Sequence, residues 1–237
     1  ANRHWHERLQ AMRQPVTILE APGVTRRLQG LRNRVFPFPT KGLERWLADQ
    51  RPDILLCLQG DIEHSSRLLL AARQSGICSV SYIPIPHRMQ DMHVRFGWLR
   101  DRINQYLFQL PDGYITISPT MERLLRSRGT HQPITIVPNA IDVARFIPAP
   151  AGPAREKLGL SAAVPLIGMI GRVDFKQKGQ DLALQAFEDF PQAFGPAHLL
   201  FVGDGPDGDE LRRRMRKSPR RESLHQVSWM ADTARAY

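Results

Sequence analysis

Cysteine is scarce in this 237-residue sequence: Cys57 and Cys78 each stand in an apolar run and form no Cys-x-x-Cys pair. That excludes a disulfide framework or a zinc knuckle as the source of stability, and both read as small buried hydrophobes in a reducing cytosol. Long apolar runs are missing as well. No stretch reaches the roughly 18 continuous apolar residues of a membrane span, and the opening ANRHWHERLQAMRQP lacks the apolar core of a signal peptide. The expectation is a soluble, cytoplasmic protein. Acidic residues are in deficit, 23 Asp and Glu against 33 Lys and Arg, for a net charge of +10. The imbalance favours anionic partners: nucleic acid, an acidic lipid surface or a phosphorylated substrate. The densest basic run, LRRRMRKSPRR at 211–221, has no interleaved aromatics on which bases would stack. It reads as a solvated helix face with peripheral affinity for phosphate, and nucleic acid is not an expected partner.

What is present is the grammar of an α/β protein, 42% hydrophobic and 24% charged, long enough for one large domain or two ordinary ones. Apolar runs occur at VTILE (16–20), DILLCL (53–58), CSVSYIPI (78–85), GYITIS (113–118) and ITIVP (134–138). Between most of them lie helical stretches: SSRLLLAARQSG (65–76), VRFGWLRDRINQYLFQL (94–110) and SPTMERLLRSRG (118–129). Near-continuous apolar strands alternating with helices predict a parallel sheet covered on both faces. Three prolines and a glycine between 148 and 153 then break the pattern, as a stiff linker does. Beyond it the alternation restarts with VPLIGMIG (164–171), GQDLALQAFEDF (179–190), AHLLFVGDG (197–205), DELRRRMRK (209–217) and HQVSWM (225–230). The simplest account is two Rossmann-like units, 1–147 and 148–237, hinged at 147–153 and facing each other across a cleft.

The junction GRVDFKQKG at 171–179 is where chemistry is expected. In open parallel sheets ligands bind beyond the carboxyl ends of the strands, where loops meet helix N-termini. Arg172 and Lys178 beside such a terminus would hold a doubly charged phosphate group, the arginine by two oxygens and the lysine as a point charge. The alternative is surface pairing with Asp174 and Asp181, and spacing alone leaves both open. His87 follows a Pro-punctuated strand end, on a loop at the same carboxyl edge of the first sheet. Residues 203–208, GDGPDG, form a literal G-x-G-x-x-G through Gly203, Gly205 and Gly208. That supports an NAD(P)-dependent oxidoreductase as an alternative, but Asp204, Asp207 and Asp209 stand where pyrophosphate would lie, and Pro206 removes a donor. Asp209, in the superficial D-x-D of 207–209, is better placed as a helix N-cap or first-turn carboxylate than as a metal ligand. A non-enzymatic basic polyanion-binding module is the second alternative.

GMIGRVDFKQKGQDLALQAFEDF followed by LLFVGDGPDGDEL resembles the donor-domain signature of retaining glycosyltransferases of family GT4, which have the GT-B fold. ITIVPNAIDVARFIP (134–148) resembles the family's hinge-proximal segment, and SVSYIPIPH (79–87) its acceptor-domain strand ending in a functional histidine. The resemblance runs from about residue 50 to the C-terminus. It implies a GT-B fold of two parallel-sheet Rossmann-like units, an acceptor-side unit at 1–147 and an incomplete donor unit at 148–237. It implies that Arg172 and Lys178 bind the diphosphate of a nucleotide sugar, with Gly171, Gly203 and Gly205 in the donor loops. His87 would then act near the transferred sugar. Neither metal nor cofactor is implied, and the acceptor would be a lipid-linked or cell-surface glycan. The net charge suits peripheral contact with an anionic membrane surface at the inner face. Two departures stand out: no Gly-rich loop precedes residue 50, and no glutamate has another eight residues on. The expectation is a chain truncated at both ends, with some catalytic groups absent.

Overall fold

In the computed structural model, which describes residues 17, 19, 21, 28–35, 40–92, 94–147, 155, 156, 159–161 and 163–230, the apolar runs pair into two parallel sheets. The chain divides into two compact units, Ala1–Ala140 and Ile141–Tyr237. The proline-rich stretch at 148–153 and most of the apolar run at 16–20 lie outside the described residues.

The first unit opens with α1 (Gln29–Val35) and α2 (Lys41–Gln50), then alternates through β1 (Leu55–Leu58), α3 (Ser66–Gln74), β2 (Ser79–Tyr82) and α4 (Gly97–Asn104). A 3-10 turn (Gln105–Gln109) leads to β3 (Gly113–Thr116), α5 (Pro119–Ser127) and β4 (Ile134–Ile136). The strands pair in sequential order β1-β2-β3-β4, all parallel, in a register that sets Leu55 against Ser79, Val80 against Gly113 and Tyr114 against Ile134. Sequential order with right-handed crossovers sends successive helices to the same face. That face carries the core: Cys57, Ile83 and Tyr114 pack with Leu69 of α3, Leu107 and Phe108 of the 3-10 turn and Leu125 of α5. Each such side chain contributes about 1.5–3 kcal/mol of burial. On the opposite face Leu56 and Leu58 are 54% and 69% exposed. Among the described residues the expected two-sided cover is therefore one-sided.

The second unit repeats the plan with β5 (Leu166–Ile170), α6 (Phe175–Lys178), α7 (Gln180–Asp189), α8 (Pro191–Phe194), β6 (His198–Val202), α9 (Gly208–Lys217) and β7 (Leu224–Val227). Its strands run in parallel in the order β5-β6-β7. The core joins Leu184 and Phe187 of α7 and Leu211 and Met215 of α9 to Leu199 and Phe201. The basic run at 211–221 is only partly a solvated face. Arg213 and Arg214 both bond Glu210, but Arg220 lies 3.8 Å over the Phe187 ring and donates to the carbonyls of Phe187 and Gly195.

The reading of Cys78 as buried changes, and the starts of α3 and α5 differ in how they are capped. Cys57 is buried, which pushes its thiol up to about 11, whereas Cys78 is exposed because it stands in the turn entering β2. Ser118 caps α5 by accepting from the Met121 N–H, but Ser65 sits at φ 58 and caps nothing with its side chain. Ser66 is instead buried, and its Oγ accepts from Asn33 Nδ2 at 3.1 Å. This bond belongs to a polar seam. Glu63 accepts from the Gln29 N–H, from Asn104 Nδ2 at 2.7 Å and from Arg100 Nη2 at 3.0 Å, so α1, α3 and α4 are joined by hydrogen bonds. Buried groups so paired avoid the desolvation cost of an orphan.

Candidate functional site

The loop after β2 is shaped by groups distant in sequence. Thr116 Oγ1 donates to the carbonyls of Ile83 and Pro84, and the buried Arg128 donates from Nη2 to the Pro86 carbonyl at 3.2 Å. Asp101 accepts from the Met89 and Gln90 N–H groups through its two oxygens, and lies 3.9 Å from Arg128. Burial pulls the Arg128 guanidinium below its ordinary value, and the Asp101 charge opposes that shift. Gly97 completes the frame, since a Cβ there would come within 2.5 Å of the Gln90 nitrogen. His87 is the exposed product of this framing, its N–H donating to Ile85 O at 2.9 Å in a tight turn at the carboxyl end of β2. Asp101 and Arg128 are sequence-distant supports, invisible to a motif.

In the second unit, β5 ends at Ile170 and Gly171 takes φ 152. Gly203, at φ 135, follows β6. A Cβ on Gly203 would lie 2.2 Å from Gly171 O, and one on Gly205 would lie 2.2 Å from Val173 O. Val173 and Asp204 are joined through N–H and carbonyl at 3.0 Å, and Asp207 Oδ2 accepts from the Phe175 N–H at 2.8 Å. Gly171, Gly203 and Gly205 are therefore brought together, main chain against main chain. The space that a dinucleotide pyrophosphate would need beside Gly203 and Gly205 is taken by residues 171–173. Asp207 is committed to Phe175, while Asp209, in the first turn of α9, pairs with Arg212 at 2.6 Å.

Arg172 is the first side chain beyond the sheet edge and is exposed. Its Nη2 donates to Asp174 Oδ2 at 3.1 Å and to Gln177 Oε1 at 2.9 Å. Both bonds use one nitrogen, so Nη1 and Nε have no partner among the described residues. The pair with Asp174 is one of the alternatives left open by spacing, and as an exposed ion pair it contributes at most about 1 kcal/mol. Lys178 is exposed and has no partner among the described residues, and it does not bond Asp181. The connection between the two cations is a helical turn, α6, because Asp174 caps it by accepting from the Gln177 N–H. Gly179, at φ 68, ends that turn and begins α7. Gln180, 2% exposed, braces the turn from below: its Nε2 donates to Arg172 O at 2.9 Å and its Oε1 accepts from the Asp174 N–H. Arg172 and Lys178 are thus both exposed on a braced turn that leads into α7. Positive charge beside a helix start is an arrangement that favours anions in general.

The chain resembles known proteins in both sequence and fold. Residues 3–145 match the family model of Glycosyltransferase Family 4, a match that begins well before residue 50, where the motif-based resemblance starts. A 97-residue stretch is 34% identical to the GDP-mannose-dependent monoacylated alpha-(1-6)-phosphatidylinositol monomannoside mannosyltransferase of Corynebacterium glutamicum, covering 40% of this chain and 25% of that enzyme. Among solved structures, Anabaena Alr3699/HepE in complex with UDP aligns with a TM-score of 0.66 at 15% identity, over 87% of this chain and 55% of that one. The sucrose-phosphate synthase of Thermosynechococcus elongatus aligns with a TM-score of 0.63 at 18% identity, over 92% and 56%. At these identities the likeness is one of fold, the parallel-sheet units of the GT-B type. The chain spans about half the length of these solved structures and a quarter of the mannosyltransferase.

Proposed function

The chain belongs to glycosyltransferase family 4, and from that premise we propose that it acts in a glycosyltransferase that takes its sugar from a nucleotide-diphosphate donor. The observation that carries the proposal is the braced turn at the carboxyl end of β5, with Arg172 half-engaged and Lys178 unengaged beside the start of α7. Breaking the sugar-phosphate bond leaves negative charge on the departing nucleoside diphosphate. Cations already fixed beside it stabilise that charge without reorganising. Arg172 supplies the free edge of a guanidinium fork to two oxygens, and Lys178 supplies a point charge. No residue of the turn is asked to hold a metal. His87 serves the transferred sugar, as hydrogen-bond partner of its hydroxyls or of the reacting centre, and transfer proceeds with retention. The acceptor is a lipid-linked or cell-surface glycan. The mannosyltransferase relative, which acts on a phosphatidylinositol mannoside, and the net charge of +10 support an acceptor at an anionic membrane surface.

The test uses the full-length protein, with thermal shift across UDP, GDP and ADP sugars followed by transfer assays. Arg172→Ala and Lys178→Ala are each expected to lower transfer by roughly 10²–10³-fold. Lys176→Ala, exposed on the same turn, is expected to change it by less than about threefold. His87→Ala is expected to lower turnover while leaving donor binding in place. Equal losses from all three cation variants would replace a defined clamp with diffuse basic charge and sink the reading.

A further inference from the structure

A second cationic depression lies at the opposite edge of the first sheet, and nothing in the proposed transfer uses it. Arg34 from α1, Arg102 from α4, Gln105 and Tyr106 from the 3-10 turn, and Gly129 and His131 from the loop before β4 line a cavity of about 460 Å³. Residues 105–109 precede β3 and residues 129–131 precede β4, so the cavity is at the amino ends of strands whose carboxyl ends face the His87 side. Among the described residues no carboxylate lines it. We propose that this cavity is a binding site for a phosphate group, distinct from the site that holds the donor diphosphate.

One side of the cavity is built from fixed parts. Arg34 is held with its guanidinium carbon 4.9 Å over the Tyr106 ring, and the Tyr106 hydroxyl donates to Gly30 O at 2.8 Å. Gly30 lets α1 approach so closely because a Cβ there would stand 1.9 Å from Asn104 Oδ1, and Asn104 is itself bonded to Glu63. Gln109 is committed at both ends, donating to Gly129 O and accepting from Gln132 Nε2. Its neighbour Gln105 has no hydrogen-bond partner among the described residues. Gly129, at φ 80, keeps the floor bare: a side chain there would meet the Gln105 and Gln109 amides at 3.7 and 3.9 Å. Arg34 and Arg102 make no ion pair among the described residues. Two guanidinium forks, an imidazole and a free amide, with no carboxylate beside them among the described residues, offer donors to the oxygens of a phosphate. Like charges gathered without a counter-charge repel, and a bound phosphate removes that repulsion.

The phosphate belongs either to a soluble phosphate ester or to a lipid headgroup, and the experiment separates them. The full chain carrying Arg172→Ala and Lys178→Ala, which disables the donor site, is titrated with glycerol 3-phosphate at about 0.15 M salt. The same protein is sedimented with phosphatidylcholine vesicles with and without phosphatidylglycerol. Arg34→Ala, Arg102→Ala and the uncharged change Gln105→Leu are each expected to weaken binding about fivefold or more, and the surface control Arg123→Ala is expected to leave it unchanged. Saturable glycerol 3-phosphate binding with this pattern supports the site and a soluble ester. The pattern seen with phosphatidylglycerol vesicles alone supports the site and a headgroup. Binding of neither probe, or losses from Arg123→Ala as large as those from Arg102→Ala, overturns the proposal. Circular dichroism melts of each variant exclude misfolding as the cause, and Gln105→Leu keeps the test independent of charge.

Discussion

Gly203 and Gly205 are glycine because main chain, not solvent, occupies the place of their side chains. Gly203→Ala would need either a 2.2 Å contact relieved or a φ of 135 abandoned. It is expected to destabilise the second unit by about 2–4 kcal/mol, read from urea unfolding. A loss below about 0.5 kcal/mol would show that residues 171–173 retreat freely. Part of this was legible beforehand. The apolar run ending in Gly171 placed Arg172 at a sheet edge, and the pairing with Asp174 was one of two readings that spacing allowed. The brace from Gln180 and the contact of 171 with 203 were hidden, because nothing local in a sequence reports which main-chain atoms meet across some thirty residues. Asp101 and Arg128 were hidden for the same reason: one is an ordinary charged residue of α4 and the other the residue just past α5, until the loop at 87–90 folds over them.

Elements were legible where their burial follows their hydrophobicity. Strands β1 to β7 and helices α3, α5, α7 and α9 each fall on a run that pattern alone marks out. Helices α1 and α2 do not. α1 buries Gln29, Gly30 and Asn33 and exposes Leu31 and Val35, the reverse of an amphipathic rule, because it docks on the Glu63 seam and not on an apolar core. α2 has apolar residues at helical spacing, but it begins without a side-chain cap and stops at Arg51 in the left-handed region at φ 46, so its ends give no signal. A pair of strands adds a feature that pattern does not announce. His198 Nδ1 and His225 Nε2 lie 2.8 Å apart on β6 and β7, with rings stacked at 5.1 Å. One nitrogen donates and the other accepts, an arrangement that two protonated rings cannot keep. Burial first, and then the neighbouring His198, hold the His225 imidazole below its ordinary value of 6.5. The unfolded chain therefore takes up a proton at a pH where the folded unit resists it. Stability from this group is complete above about 6.5 and declines as pH falls from there toward the folded value. Melting of the second unit at about pH 5.5 is expected to lie roughly 1–3 °C below that at about pH 7.5, a modest drop because the pair is half-exposed and screened. His225→Gln is expected to remove most of it. A drop that persists in this variant would assign the acid sensitivity elsewhere.

At the scale of the molecule, each sheet carries its own core, and no residue of either cluster comes from the other unit. Cavities should therefore be felt locally. Leu69→Ala and Phe201→Ala are each expected to cost about 3–5 kcal/mol. Amide exchange is expected to show the loss of protection from Leu69→Ala in β1–β3 and that from Phe201→Ala in β5–β7. Equal loss in both sheets from either substitution would mean that the chain unfolds as one cooperative body. The repeated strand-helix alternation made the two-unit plan readable from the sequence. The one-sided cover of the first sheet among the described residues was not, since strand order is a property of how crossovers close and not of any run of residues.

The glycine contacts at 171, 203 and 205 also separate the frame of the turn from the charges it carries. Their fit is main chain on main chain, so it is indifferent to the side chains borne around it. Arg172, Lys176 and Lys178 ride on a seat whose shape owes them little, and each can be exchanged by a single mutation without loosening it. Gly203 and Gly205 have no such freedom, because any side chain there meets the main chain of 171–173, and Gly171 is held to glycine by its φ of 152 alone. Substitution at the exposed cations therefore costs the frame little, while substitution at Gly203 or Gly205 costs it directly.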